Sequence, residues 1–66
     1  MNIDGKTKLL GLIGTPVEHS KSPAMYNYCF DKYGLNCAYL AFDVDMDHVA
    51  VAVAALRPFH VMGCNV

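Results

Sequence analysis

Metal ligands and cross-links are what this 66-residue sequence lacks. Its cysteines, Cys29, Cys37 and Cys64, are odd in number and form no C-x-x-C pair. His19, His48 and His60 lie far apart along the chain and complete no zinc-type set with them. Reduced thiols suit a reducing compartment, so a cytoplasmic protein is expected. Charged residues make up 17% of the chain and the formal net charge is −1, which gives no electrostatic footprint for nucleic acid. No apolar run approaches the roughly 18 residues that span a bilayer. The opening MNIDGKTK lacks the order of a secretory signal. There is no repeat, no low-complexity linker, no P-loop, no Ser-His-Asp arrangement and no paired-carboxylate site, and Gly11 and Gly14 do not make G-x-G-x-x-G. What is present is apolar: 55% of the residues are hydrophobic, which excludes a disordered polar segment. A chain of about 60 residues buries only about 60% of its unfolded surface, so independent stability is marginal and small scaffolds of this size usually add a staple or a partner.

The apolar residues fall into short segments. KLLGLIG, residues 8–14, is closed by Thr15 and Pro16 and reads as a strand buried on both faces, as in a parallel sheet. Met25, Cys29 and Tyr33 recur at four-residue spacing with Tyr26 and Phe30 alongside, one face of a helix over residues 24–33. Ser22 fits its N-cap, Pro23 its first helical position and Gly34 its stop. CAYLAFDV, residues 37–44, is a second strand. In DVDMDHVAVAVAALRP the Val-Ala alternation has the strand period, yet Val49, Val53 and Leu56 also stand at helical spacing. Its length favours a helix, capped by Asp45 or Asp47 and ended by Pro58 near Arg57. HVMGCNV, residues 60–66, reads as a third strand. The order β-α-β-α-β implies right-handed crossovers and parallel strands. The expected fold is therefore α/β, a three-layer open, mainly parallel sheet of order 2-1-3 with one helix on each face. Ligands of such sheets bind beyond the carboxyl ends of the strands at the switch point, here between strands one and three. That place would bring the Ser20–Ser22 loop beside Asn65.

EHSKSP, residues 18–23, sets two hydroxyls and a lysine where a helix begins. Two readings of it stand on spacing alone. In one, Ser22 caps the helix and Ser20 makes a local turn. In the other, both hydroxyls donate to one small anion, aided by the helix N-terminus. Lys21 reads as a solvated side chain, His19 as a loop hydrogen-bonding residue, and Tyr26, Tyr28 and Tyr33 as packing or surface residues.

GLIGTPVEHSKSPAMYNYCF, followed by YLAFDVD and GCNV, resembles the N-terminal substrate-binding domain of the shikimate dehydrogenase family, including its quinate-accepting branch. The resemblance runs from about Leu9 to Val66, and H-S-x-S-P after a G-x-x-x-P strand end is its most specific part. It implies that Ser20 and Ser22 hold the substrate carboxylate. It also implies that Asn65 shapes the same pocket and, as in the quinate-accepting branch, that Tyr39 approaches the substrate. The implied activity is reversible reduction of 3-dehydroshikimate, or dehydroquinate, with NADPH or NADH in aromatic amino-acid biosynthesis or quinate use. Such enzymes use a lysine and an aspartate at the reacting hydroxyl. The family's G-x-N-V runs on into a segment carrying that lysine, which this sequence does not contain. Residues 1–66 are thus expected to be the first part of the substrate-binding domain, an inactive fragment without the Rossmann domain and without bound NADP or NAD.

A different reading makes the chain a self-contained binding module. A three-stranded parallel sheet leaves two edges and much apolar surface open, so self-association by pairing or exchanging strands is then expected. The expected ligands are small molecules (shikimate, 3-dehydroshikimate or quinate), with neither nucleic acid nor membrane as partner.

Overall fold

The apolar run Lys8–Gly14 forms β1, the central strand. It pairs in parallel with β2 (Cys37–Asp43) on one side and β3 (Gly63–Asn65) on the other, giving the order β2-β1-β3. Helix α1 spans Ser22–Lys32, and a 3-10 turn at Met46–His48 leads into α2, Val49–Ala55. These elements come from a computed structural model that describes residues 1–66. The expected α/β topology is therefore the observed one. No helix is long and apolar enough to cross a membrane.

Alternation along β1 sends side chains to two faces. Leu10 stands opposite Tyr39 and Leu12 opposite Asn65, and on this face α1 packs against β2, its Tyr26 ring stacking on Tyr39. Ile13 stands opposite Phe42 on the other face, beneath α2. Gly11 is what allows the Phe42 ring to lie across β1. A Cβ there would stand 2.8 Å from Phe42 Cε2 and 3.1 Å from the Leu40 carbonyl oxygen. Burial on both faces is only partly achieved: Gly11 and Ile13 are buried, while Leu9, Leu10 and Leu12 stay half-exposed. On the α2 side an apolar cleft of about 420 Å³ remains, lined by Leu9, Ile13, Phe42, Ala52, Leu56 and Phe59 among others.

Three boundaries differ from expectation, each for a local reason. Of the face expected for α1, Tyr26 and Phe30 do turn toward the sheet, joined by Asn27, while Met25, Cys29 and Tyr33 are exposed. Neither Asp45 nor Asp47 caps a helix through its side chain. Asp45 Oδ1 meets His48 Nδ1 at 2.5 Å instead, and the segment opens as a 3-10 turn. Helix α2 stops at Ala55 because Pro58 has no N–H for the carbonyl four residues back. Turns then carry the chain to His60, whose φ of 56° breaks the extended path, so β3 begins only at Gly63. The end of α1 is as expected. Gly34 takes φ 67°, its N–H donates to the Asp31 carbonyl and the Leu35 N–H to that of Phe30, a Schellman closure.

At the opposite end of the sheet the N-terminus is knotted to the α1–β2 connection. Asp4 Oδ1 accepts from the Asn36 amide at 3.2 Å and from the Lys6 N–H at 2.9 Å, while Thr7 Oγ1 donates to Asn36 Oδ1 at 2.7 Å. The Asn36 amide, followed by the Lys6 N–H, holds the Asp4 carboxyl below its ordinary value of 3.8. A carboxyl lowered on folding stabilises fully above its unfolded pKa, and that contribution is lost as pH falls through the folded value. In urea unfolding between about pH 6 and pH 2, the wild-type chain is expected to lose more stability below about pH 4 than Asp4→Asn does. Parallel curves for the two proteins would show that the charge of Asp4 contributes nothing to the knot.

Candidate functional site

The loop between β1 and α1 turns back on itself where the Ser20 N–H donates to the Val17 carbonyl at 3.0 Å, and its Thr15–Pro16 peptide is cis. The helix start lies one residue earlier than expected. Lys21 occupies the N-cap position with φ −92° and ψ −4°, without a side-chain cap, so Ser22 and Pro23 are already helical. The capping oxygen belongs to Ser20, whose Oγ accepts the Ser22 N–H at 3.3 Å. A hydroxyl that accepts still has its own proton to donate. Ser22 Oγ makes no hydrogen bond within the protein. The capping reading thus applies to Ser20, and Ser22 is left with a free hydroxyl.

The backbone supplies less to an anion here than a bare helix start would. Pro23 has no N–H and that of Ser22 is taken by Ser20, which leaves the Lys21 and Ala24 amides without intramolecular partners. Donors for a carboxylate therefore come chiefly from side chains. Lys21 is exposed and makes no ion pair, and His19 is exposed, with its Nε2 3.6 Å from Glu18. No group of three or more His, Cys, Asp or Glu side chains is placed to hold a metal ion.

The other two expected site residues do come together. Asn65 Nδ2 donates to Tyr39 Oη at 3.4 Å, and both line a cleft of about 150 Å³ with Leu10, Tyr26 and Gly63. Tyr39 is 3% exposed, stacked on Tyr26 with ring centroids 4.6 Å apart and planes 17° from parallel. Its hydroxyl meets Asn65 and its ring is covered. Neither serine hydrogen-bonds Asn65 or Tyr39. The serines instead start the helix whose second turn carries Tyr26 and Asn27.

Asn27 is the residue that sequence reasoning missed. The Asn27 amide donates to the Tyr39 carbonyl at 2.9 Å and accepts the Tyr39 N–H at 2.7 Å. The signal was there: Asn is a poor helix former, and this one sits between Tyr26 and Phe30 on what proves the inward row.

The two hydroxyls are separable by stability. Ser20→Ala removes the acceptor for the Ser22 N–H and is expected to cost about 1 kcal/mol in equilibrium unfolding. Ser22→Ala removes an unpartnered hydroxyl and is expected to change stability by less than about 0.5 kcal/mol. The reverse order would mean that Ser22, not Ser20, secures the helix start.

Known proteins share this fold. Residues 12–66 match the family model described as the shikimate dehydrogenase substrate binding domain. The chain is 47% identical over 66 residues to shikimate dehydrogenase (NADP(+)) of Methanopyrus kandleri, covering all of this chain and 23% of that one. It is 48% identical over 64 residues to the Methanococcus maripaludis (strain C6) enzyme, covering 97% of this chain and 23% of that protein. Among solved structures it superposes on the Listeria monocytogenes shikimate 5-dehydrogenase in complex with shikimate and NAD. The TM-score is 0.95 at 44% identity, over all of this chain and 23% of that one. A shikimate dehydrogenase in complex with NADP+ gives a TM-score of 0.95 at 45% identity, covering 98% of this chain and 23% of that one. With its serine loop at the β1–α1 turn and its β2-β1-β3 sheet, the chain belongs to the shikimate dehydrogenase substrate-binding domain family.

Proposed function

We propose that this chain is the carboxylate-holding part of a cytoplasmic enzyme that reversibly reduces 3-dehydroshikimate to shikimate with NADPH or NADH. The observation that carries this reading is the free Ser22 hydroxyl two residues from Ser20, at the start of α1. A hydrogen bond to a charged group contributes about 1.5–3 kcal/mol, and two to one carboxylate fix its orientation as well as its charge. Lys21 adds a positive charge within the same loop. Asn65, whose Nδ2 is directed at Tyr39, keeps Oδ1 unpaired to accept a ring hydroxyl of the polyol. Tyr39 serves the site from beneath, through Asn65.

The residues present do not fit a dinucleotide. No G-x-G-x-x-G follows a strand, and Gly11 is covered by the Phe42 ring rather than open to a phosphate. Lys21 stands in the carboxylate loop itself. The lysine and aspartate that serve the reacting hydroxyl, like the nicotinamide site, are therefore assigned to segments other than these 66 residues, and the chain alone is expected to be inactive.

A second reading, a module that pairs with another copy of itself, draws on the exposed Leu40 (50%), Phe59 (75%) and Met62 (64%) and on the open cleft beside α2. One set of samples addresses both. In calorimetric titration with shikimate, Ser20→Ala and Ser22→Ala are each expected to weaken binding about 10- to 100-fold. Unchanged affinity in both would remove the serines from the site. Sedimentation of the same wild-type sample as a folded monomer at high concentration would eliminate self-pairing, whereas a concentration-dependent dimer without shikimate binding would favour it.

A further inference from the structure

The two halves of the candidate site lie on different elements: the serines at the first turn of α1, Asn65 on β3. Their separation has to be held by something, and little apolar packing is available to hold it, because Ile13, Ala38 and Tyr39 are the only buried hydrophobic residues. We infer that Asn27 is the positioning residue of this site: its amide fixes Tyr39 against α1, and the Tyr39 hydroxyl in turn fixes the amide of Asn65.

The geometry is that of a strand mimic. β2 is an edge strand, so the backbone groups on its outer side have no neighbouring strand to pair with. Asn27 meets both groups of one residue, accepting the Tyr39 N–H at 2.7 Å and donating to the Tyr39 carbonyl at 2.9 Å. A primary amide of this length supplies the donor and acceptor together; a carboxylate lacks the donor, and an apolar side chain lacks both. The clamp sets the height of α1 along β2. Ser22 lies five residues earlier on the same helix, about 7.5 Å along its axis at 1.5 Å per residue, so its place is set with it. Tyr26, next to Asn27, covers the Tyr39 ring, and the far end of that ring reaches Asn65 Nδ2 at 3.4 Å. One side chain thereby links α1, β2 and β3.

The role assigned to Asn65 in binding rests on the function proposed above, but the positioning of its amide does not, and the experiment separates the two. The full chain is compared by NMR with Asn27→Ala, Asn27→Asp and Thr7→Ala, the last breaking the knot at the opposite end of the sheet. In the ligand-free proteins, Asn27→Ala is expected to shift the Asn65 side-chain amide resonance and to speed exchange of the Tyr39 N–H about tenfold or more. Asn27→Asp, which keeps an acceptor for that N–H, is expected to retain slow exchange there. Thr7→Ala is expected to leave both signals in place. With shikimate added, Asn27→Ala is expected to bind about tenfold more weakly and Thr7→Ala as wild type. An unmoved Asn65 resonance in Asn27→Ala, or an equal shift in Thr7→Ala, would overturn the inference. If Asn27→Ala does not fold, an Asn65 resonance and shikimate affinity in Asn27→Asp identical to wild type would overturn it equally. If the wild-type chain binds no shikimate, the proposed function falls while the ligand-free resonances still decide the role of Asn27.

Discussion

One amide side chain, that of Asn27, ties α1 to the exposed edge of the sheet, and the rest of the molecule is arranged around that tie. Its weight follows from how little else there is. Fully burying a large apolar side chain contributes about 1.5–3 kcal/mol, and in this chain only Ile13, Ala38 and Tyr39 form a buried apolar core. Two hydrogen bonds of about 1 kcal/mol each are minor in a large domain, but beside so small a core they are a substantial addition to the packing. They also have direction, which packing lacks. The stacked Tyr26–Tyr39 pair sits beside the clamp and adds about 0.5–1.5 kcal/mol beyond its area.

The chemistry of the serine loop rests on a division of labour between two like residues. Ser20 accepts the first helical N–H and keeps its proton, while Ser22 has no internal task. A helix start contributes about 0.3–1 kcal/mol toward an anion, and here two of its amides are already removed, one by Pro23 and one by Ser20. Hydroxyl donors at about 1.5–3 kcal/mol each then outweigh the dipole. Lys21, on the exposed surface, adds attraction that salt screens; it cannot impose an orientation.

Much of this was legible in the sequence, and the failures have specific causes. The extent of β1, the β2-β1-β3 order and the glycine stop of α1 followed from apolar runs, element order and turn chemistry. The helix phase did not. Four-residue spacing marks a row without saying which row faces inward, and a polar residue such as Asn27 gives no apolar signal for the inward row. The helix start was misplaced by one residue because the cap is made by Ser20 from two positions upstream. Asp45 was a sound cap by composition, but His48 three residues later competed for its carboxylate. For the candidate site, the serines and Asn65 are proposed from the resemblance of the loop and the GCNV end to a known family. The covering of Tyr39 by Tyr26 was not readable, since it depends on helix phase.

The central claim is that the Ser20 and Ser22 hydroxyls together seat the carboxylate of a cyclic polyol acid. A crystal structure of this chain grown with shikimate tests it most directly. The account requires the ligand's carboxylate oxygens within about 3 Å of both Ser20 Oγ and Ser22 Oγ. A well-ordered shikimate lodged elsewhere, with both hydroxyls untouched, would contradict it.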